Sequence, residues 1–89
     1  MPIIKSAKKR MRQNEVRNAR NRMRRSTLRT SIRRLHEVIA AGDRDAIQVQ
    51  WVETQAIIDR TARMGIIHRN AAARTKSRLA RRIHQAAAA

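Results

Sequence analysis

The feature that most constrains this chain is an unbroken run over residues 6–34, SAKKRMRQNEVRNARNRMRRSTLRTSIRR, which contains neither Gly nor Pro. Strong helix formers fill it and nothing punctuates it, so it predicts a single long helix. Between residues 5 and 34 stand 13 Lys or Arg and one carboxylate, Glu15. A lone helix of that charge repels itself, and its first half has little apolar surface to bury. An anionic partner is therefore expected to compensate it.

The run changes character along its length. From Lys8 to Thr27 its only apolar residues are Met11, Val16, Ala19 and Met23. There Arg10, Asn14, Arg17, Asn21 and Arg24 recur at alternating spacings of four and three, forming a stripe on one helical face, with Arg12, Arg20, Arg22 and Arg25 on other sides. From Leu28 the repeat continues as Leu28, Ile32, Leu35 and Ile39, which is a core-facing seam. The second half is thus expected to pack against protein and the first half to project.

Punctuation and period define the remaining elements. Met1 to Ile4 read as an extended lead-in, with Ser6 as the N-cap of the first helix. Gly42 suits the left-handed position just past a helix end, and Asp43 caps a second helix, with Asp45 in its first turn. This second helix, over 44–63, places Ile47, Trp51, Thr54, Ile58 and Ala62 on one face, with Ile57 beside them. It is the least basic part of the chain and reads as a scaffold, with Trp51 as a core residue. Gly65 marks a second stop, Ile66 and Ile67 are positioned to fold back over the helix end, and Asn70 is the expected N-cap of a third helix over 71–85. Its inner seam is Ala72, Thr75, Leu79 and Ile83, with Arg74, Ser77, Arg78 and Arg81 on the other side. The expectation is an all-α, three-helix up-down-up bundle forming one domain over 1–89. Within it, residues 1–27 project as a basic helix and 28–89 form the bundle. The first helix, at about 1.5 Å per residue, must overhang its shorter neighbours.

Charge and composition narrow the function. With 22 Lys and Arg against 6 Asp and Glu, the net charge is +16, which points to a polyanion. One Trp and no Phe or Tyr weigh against modules that stack bases on aromatic platforms. Phosphate and groove contact by Lys, Arg and Asn remains. A membrane-active helix would need a broad apolar face over 5–25, and the few scattered apolar residues there do not supply one. Cysteine is absent, and neither a secretory leader nor a spanning segment is evident, so a soluble cytosolic protein is expected. His36, His68 and His84 stand in no catalytic or metal-binding spacing, and no phosphate loop or calcium loop is present; no enzyme activity and no cofactor are expected. His68 reads as a turn residue or a phosphate contact. A basic helix leading into Leu28 and Leu35 imitates a basic zipper, but Gly42 stops it after two heptads. On these grounds alone, a DNA-compacting protein and an RNA binder both stand.

Three stretches then carry a resemblance: Ile4-Lys5-Ser6-Ala7-Lys8-Lys9-Arg10; the run from Arg17 through Asn18, Ala19, Arg20, Asn21, Arg22, Met23, Arg24 and Arg25 to Ser26; and Gly65-Ile66-Ile67-His68-Arg69-Asn70-Ala71-Ala72-Ala73-Arg74-Thr75-Lys76-Ser77-Arg78-Leu79. Together they resemble the bacterial small-subunit ribosomal proteins of the S-twenty family in length, order and spacing. The resemblance implies a three-helix bundle with a protruding first helix, bound to 16S ribosomal RNA in its 5′ domain and touching the long penultimate rRNA helix. It implies a cytoplasmic, ribosome-bound protein with no small-molecule substrate, no membrane partner and no homo-oligomer. Carried over by motif, the expected RNA contacts are Lys5, Ser6, Lys8, Lys9, Arg10, Arg12, Arg17, Asn18, Arg20, Asn21, Arg22, Arg24, Arg25 and Arg29. A second group comprises His68, Arg69, Asn70, Arg74, Lys76, Ser77 and Arg78. The middle helix carries no part of the resemblance and receives no contact residue. The first ~20 residues are expected to order only on RNA.

Overall fold

The computed structural model describes the backbone of residues 2–88 and the side chains of 5–87; Met1 and Ala89 lie outside the described residues. Three helices follow one another: α1 (Pro2–Ala41), α2 (Arg44–Arg63) and α3 (Arg69–Ala88). The all-α up-down-up bundle with an overhanging first helix is borne out.

α1 starts earlier than the sequence suggested. Its first residue is Pro2, so the expected lead-in over 2–4 is helical and Ser6 lies inside the helix, not at its cap. Proline is well suited to the first helical position, because its fixed φ already matches the helix and the N–H it lacks would have had no partner there. With no breaker behind it, the helix runs for 40 residues. That corresponds to about 60 Å at 1.5 Å per residue, against a longest molecular dimension of 67 Å.

Both turns obey the glycine logic. Gly42 has φ 75°, and its N–H reaches the carbonyls of Val38 and Ile39 at 3.1 Å each. Gly65 has φ 78° and donates to Ala62 O at 3.0 Å, while Ile66 N–H donates to Thr61 O at 3.2 Å. These paired bonds satisfy carbonyls that a helix end otherwise leaves orphaned. Asp43 caps α2 as expected, its Oδ1 accepting from Ala46 N–H at 3.2 Å. The cap of α3 is not Asn70, which is the second residue of the helix. His68 fills that role: its Nδ1 accepts from Asn70 N–H at 3.1 Å, and its carbonyl accepts the first intrahelical bond, from Ala72, at 3.0 Å. The reason is the short turn at 64–68, which brings the chain into helical geometry one residue before asparagine can act. α3 also continues past Gln85 to Ala88, as alanine favours.

The core lies where the three helices meet. Leu35 from α1, Ile58 from α2, and Ala72 and Leu79 from α3 are buried together. Leu28, Ile32, Ile39, Trp51, Ala62, Ile67 and Ile83 pack around them, so the seam residues and the tucked-back Ile67 take their expected places. A polar layer interrupts this apolar set. Ser31, Thr54 and Thr61 are buried, and Ser31 and Thr54 bond to each other. The helices run antiparallel in turn. Met23 and Thr27 of α1 lie beside Ile57 and Met64 at the end of α2, whereas Ile39, Ile47 and Ile83 meet at the opposite end. α1 therefore leaves the bundle at the end closed by residues 64–68.

Candidate nucleic-acid interface

Side chains 5–20 of α1 are exposed without exception, and Asn21 is half-buried. Burial sets in at Leu28 and is complete at Ser31 and Leu35. The stripe Arg10, Asn14, Arg17, Asn21, Arg24 continues at i+4 into Leu28, so it lies on the prolongation of the helix face that meets α2 and α3. Beyond the end of the bundle, that face loses its protein neighbours and carries Arg and Asn instead of Leu and Ile. The exposed apolar residues Met11, Val16 and Met23 do not join it. The change of residue type along one continuous face separates the part of α1 that packs from the part that stands free.

The charges of this segment are not offset within the molecule. Among the described residues there are two ion pairs, Arg33 with Glu37 at 3.8 Å and Lys76 with Asp59 at 2.9 Å. Neither involves a cation of residues 5–29, and Glu15 joins no ion pair. Lys5, Lys8, Lys9, Arg10, Arg12, Arg17, Arg20, Arg22, Arg24, Arg25 and Arg29 all remain exposed, as do Ser6 and Asn18. Exposed pairs contribute little to stability in any case. Among the described residues, none of these guanidinium and ammonium groups is engaged by a carboxylate of the protein.

The second group divides. His68, Arg69 and Asn70 sit exposed at the end of the bundle from which α1 projects, so they face the same region as the root of that projection. Because His68 Nδ1 acts as an acceptor, the neutral ring carries its proton on Nε2, the donor free to act outward. Arg74, Ser77 and Arg78 lie along the exposed side of α3, away from that corner. Lys76 differs from them: it is half-buried, and its Nζ is held by Asp59 across the α2–α3 contact. Its first role is to join two helices. Arg81 and Arg82 share the exposed, basic side of α3 but were not among the expected contacts. Arg81 lies four residues after Ser77, so extending the period by one turn finds it. Among the described residues, no cluster of His, Asp and Glu is arranged to hold a metal ion. Also among them, no helix is long and apolar enough to cross a membrane. His36 Nδ1 is buried without a hydrogen-bond partner, at the edge of the core.

Comparison with known proteins assigns this geometry to a lineage. The family model described as ribosomal protein S20 matches residues 2–84. The small ribosomal subunit protein bS20 of Yersinia pestis (strain Pestoides F) is 50% identical over 84 residues, covering 94% of this chain and 97% of the relative. The protein of the same name from Yersinia enterocolitica is 49% identical over 84 residues, with the same coverage. The match takes in the middle helix as well as the two basic regions. The chain belongs to the ribosomal protein S20 family, whose members are structural proteins of the ribosome and not enzymes.

Proposed function

We propose that this chain is a structural constituent of the small ribosomal subunit that binds 16S ribosomal RNA through phosphate and shape contacts. In this role it stabilises the folded RNA during and after assembly, bound to ribosomes in the cytoplasm. The observation that carries the reading is the free-standing first part of α1, whose exposed cations have no ion-pair partner among the described residues. The small-subunit proteins that share half of its sequence support the choice of RNA over DNA.

The mechanism rests on shape. About 21 residues of α1, 2–22, extend beyond the bundle, a reach of about 31 Å at 1.5 Å per residue. A rod of that length with cations on every side contacts phosphates from more than one RNA helix at once. It lowers their mutual repulsion and holds them in register. The A-form major groove is too deep and narrow for side-chain readout, so recognition rests on phosphates, 2′-hydroxyls and the way RNA helices are arranged. The contacts are the exposed cations and polar groups of α1 from Lys5 to Arg29, with Arg69, Asn70 and His68 at the corner and Arg74, Ser77 and Arg78 along α3. Lys76 contributes through whichever of its three donors Asp59 leaves free. Bundle and projection act as one lever: residues 23–88 anchor and residues 2–22 reach.

Competition binding tests this. The full chain is expected to prefer folded 16S rRNA over duplex DNA at moderate salt. Glutamine at Arg10, Arg17 and Arg24 together is expected to flatten the salt dependence of rRNA binding by about three units of slope. Equal affinity for duplex DNA and rRNA would overturn the reading.

A further inference from the structure

Where α1 leaves the bundle, an open cleft of about 320 Å³ lies between it and the last turn of α2. Met23, Arg24 and Thr27 line it from α1, and Ile57, Arg60, Thr61 and Met64 from the end of α2, so each wall carries one arginine. We propose that this cleft is a binding site for an RNA backbone phosphate, gripped by Arg24 and Arg60 together. The proposal rests on the RNA-binding role proposed for the chain and extends it to the middle helix, which neither its sequence nor its low charge marked as a contact.

Three observations support the site. No carboxylate lines the cleft, and among the described residues neither arginine belongs to an ion pair. Arg60 also lacks relief within its own helix, since its neighbours at i−4 and i+4 are Ala56 and Met64. Both hydroxyls in the cleft are already committed. Thr27 Oγ1 donates to Met23 O at 3.0 Å, and Thr61 Oγ1 donates to Ile57 O at 2.6 Å. Among the lining residues the uncommitted side-chain donors are those of Arg24 and Arg60, one on each wall, and a planar guanidinium suits the oxygens of a phosphate. A neighbouring cleft on the same α1–α2 interface provides the contrast. Arg34 lines that one, but so does Glu53, whose charge opposes an anion there.

The bland account of Arg60 is that a cation in the last helical turn complements the helix dipole. Arg63 shares that account, because it also stands in the last turn of α2, yet it does not line the cleft. The pair therefore separates the two explanations. Binding of the full chain to 16S rRNA transcript is measured over a range of potassium chloride concentrations for the wild type, Arg24→Gln, Arg60→Gln and Arg63→Gln, with thermal unfolding of each. Arg24→Gln and Arg60→Gln are each expected to weaken binding roughly threefold to tenfold and flatten the salt slope by about one. Arg63→Gln is expected to stay within about twofold of wild type. The double variant should lose less than the product of the single losses, because one phosphate is shared. Arg60→Lys, which keeps the helix-end charge but not the fork, should fall between wild type and Arg60→Gln. If Arg60→Gln binds like Arg63→Gln while Arg24→Gln is weakened, the shared cleft is wrong and the RNA-binding reading stands. If wild type shows no rRNA preference over duplex DNA, both fall.

Discussion

Ser31 Oγ lies 2.9 Å from Thr54 Oγ1, sealed between α1 and α2 inside the bundle. Gln50 closes over the pair, its Nε2 within 3.3 Å of both hydroxyl oxygens and 3.4 Å of Ser31 O. Thr54 Oγ1 is also 3.4 Å from that carbonyl. An apolar seam tolerates sliding, since one leucine fits much like another. A buried hydroxyl pair does not, because a slip of one turn, about 5.4 Å, would leave both without partners. The contact adds a specific polar match to the α1–α2 register that the two-residue turn at 42–43 sets, and with it to how far α1 reaches past the bundle.

Removing one member should cost more than its size suggests. Ser31→Ala and Thr54→Val are each expected to destabilise the protein by about 1 kcal/mol, because each removes a buried hydrogen bond, while Gln50 still reaches the hydroxyl that remains. The double variant is expected to cost less than the two combined by about 0.5 kcal/mol or more, since it removes both. Urea or thermal unfolding of the four proteins measures this, with about 4–8 °C in Tm for each kcal/mol in a domain of this size. Strict additivity would show that the hydroxyls do not act as a pair.

His68 provides the second test. Its Nδ1 satisfies the Asn70 N–H at the start of α3, the task that Ser, Thr, Asp and Asn usually perform. His68→Ala is expected to lower stability by about 1 kcal/mol, and His68→Asn to restore most of it. Thermal unfolding distinguishes this from a histidine that serves RNA alone, for which both substitutions would leave the free protein unchanged. The asparagine variant also separates the cap from the outward donor: it keeps the helix start while replacing the imidazole Nε2, so any remaining loss of rRNA affinity belongs to that donor.

The sequence made some parts of this arrangement plain because they depend on local chemistry. Gly42 and Gly65 occupy the left-handed backbone that ends their helices, and Leu35, Ile58 and Leu79 fall on seams that period alone identifies. What escaped reading depended on tertiary placement. Ser31 carries no mark of burial, and it is buried only because α2 lays Thr54 against it. The residues before Ser6 read as an extended lead-in, yet α1 starts at Pro2, because the cost of proline vanishes at a first position. Lys76 looked like one more cation in a basic motif until α3 brought it to Asp59, 17 residues earlier in the chain. Arg60 stood in a helix dismissed as scaffold, and only the antiparallel return of α2 sets it across from Arg24.

The projecting half of α1 should be the least protected helix in the free protein. Side chains 5–20 are exposed on every face, so no packing resists local opening there, and the segment depends on helix propensity alone. Its many like charges oppose that propensity, with Lys5 in the first turns, where the positive end of the dipole disfavours it. Beyond Ser31, by contrast, opening α1 requires uncovering Leu35 and the hydroxyl pair. Amide exchange on the free chain is therefore expected to show a step, with weak protection over residues 5–22 and strong protection from Ser31 to Ile39. Bound to 16S rRNA, the first segment should gain at least about tenfold in protection, corresponding to roughly 1.4 kcal/mol, as phosphates neutralise the charges that oppose the helix. Equal protection of both segments without RNA would mean that the projecting helix is stable in its own right, and that binding RNA does not have to order it.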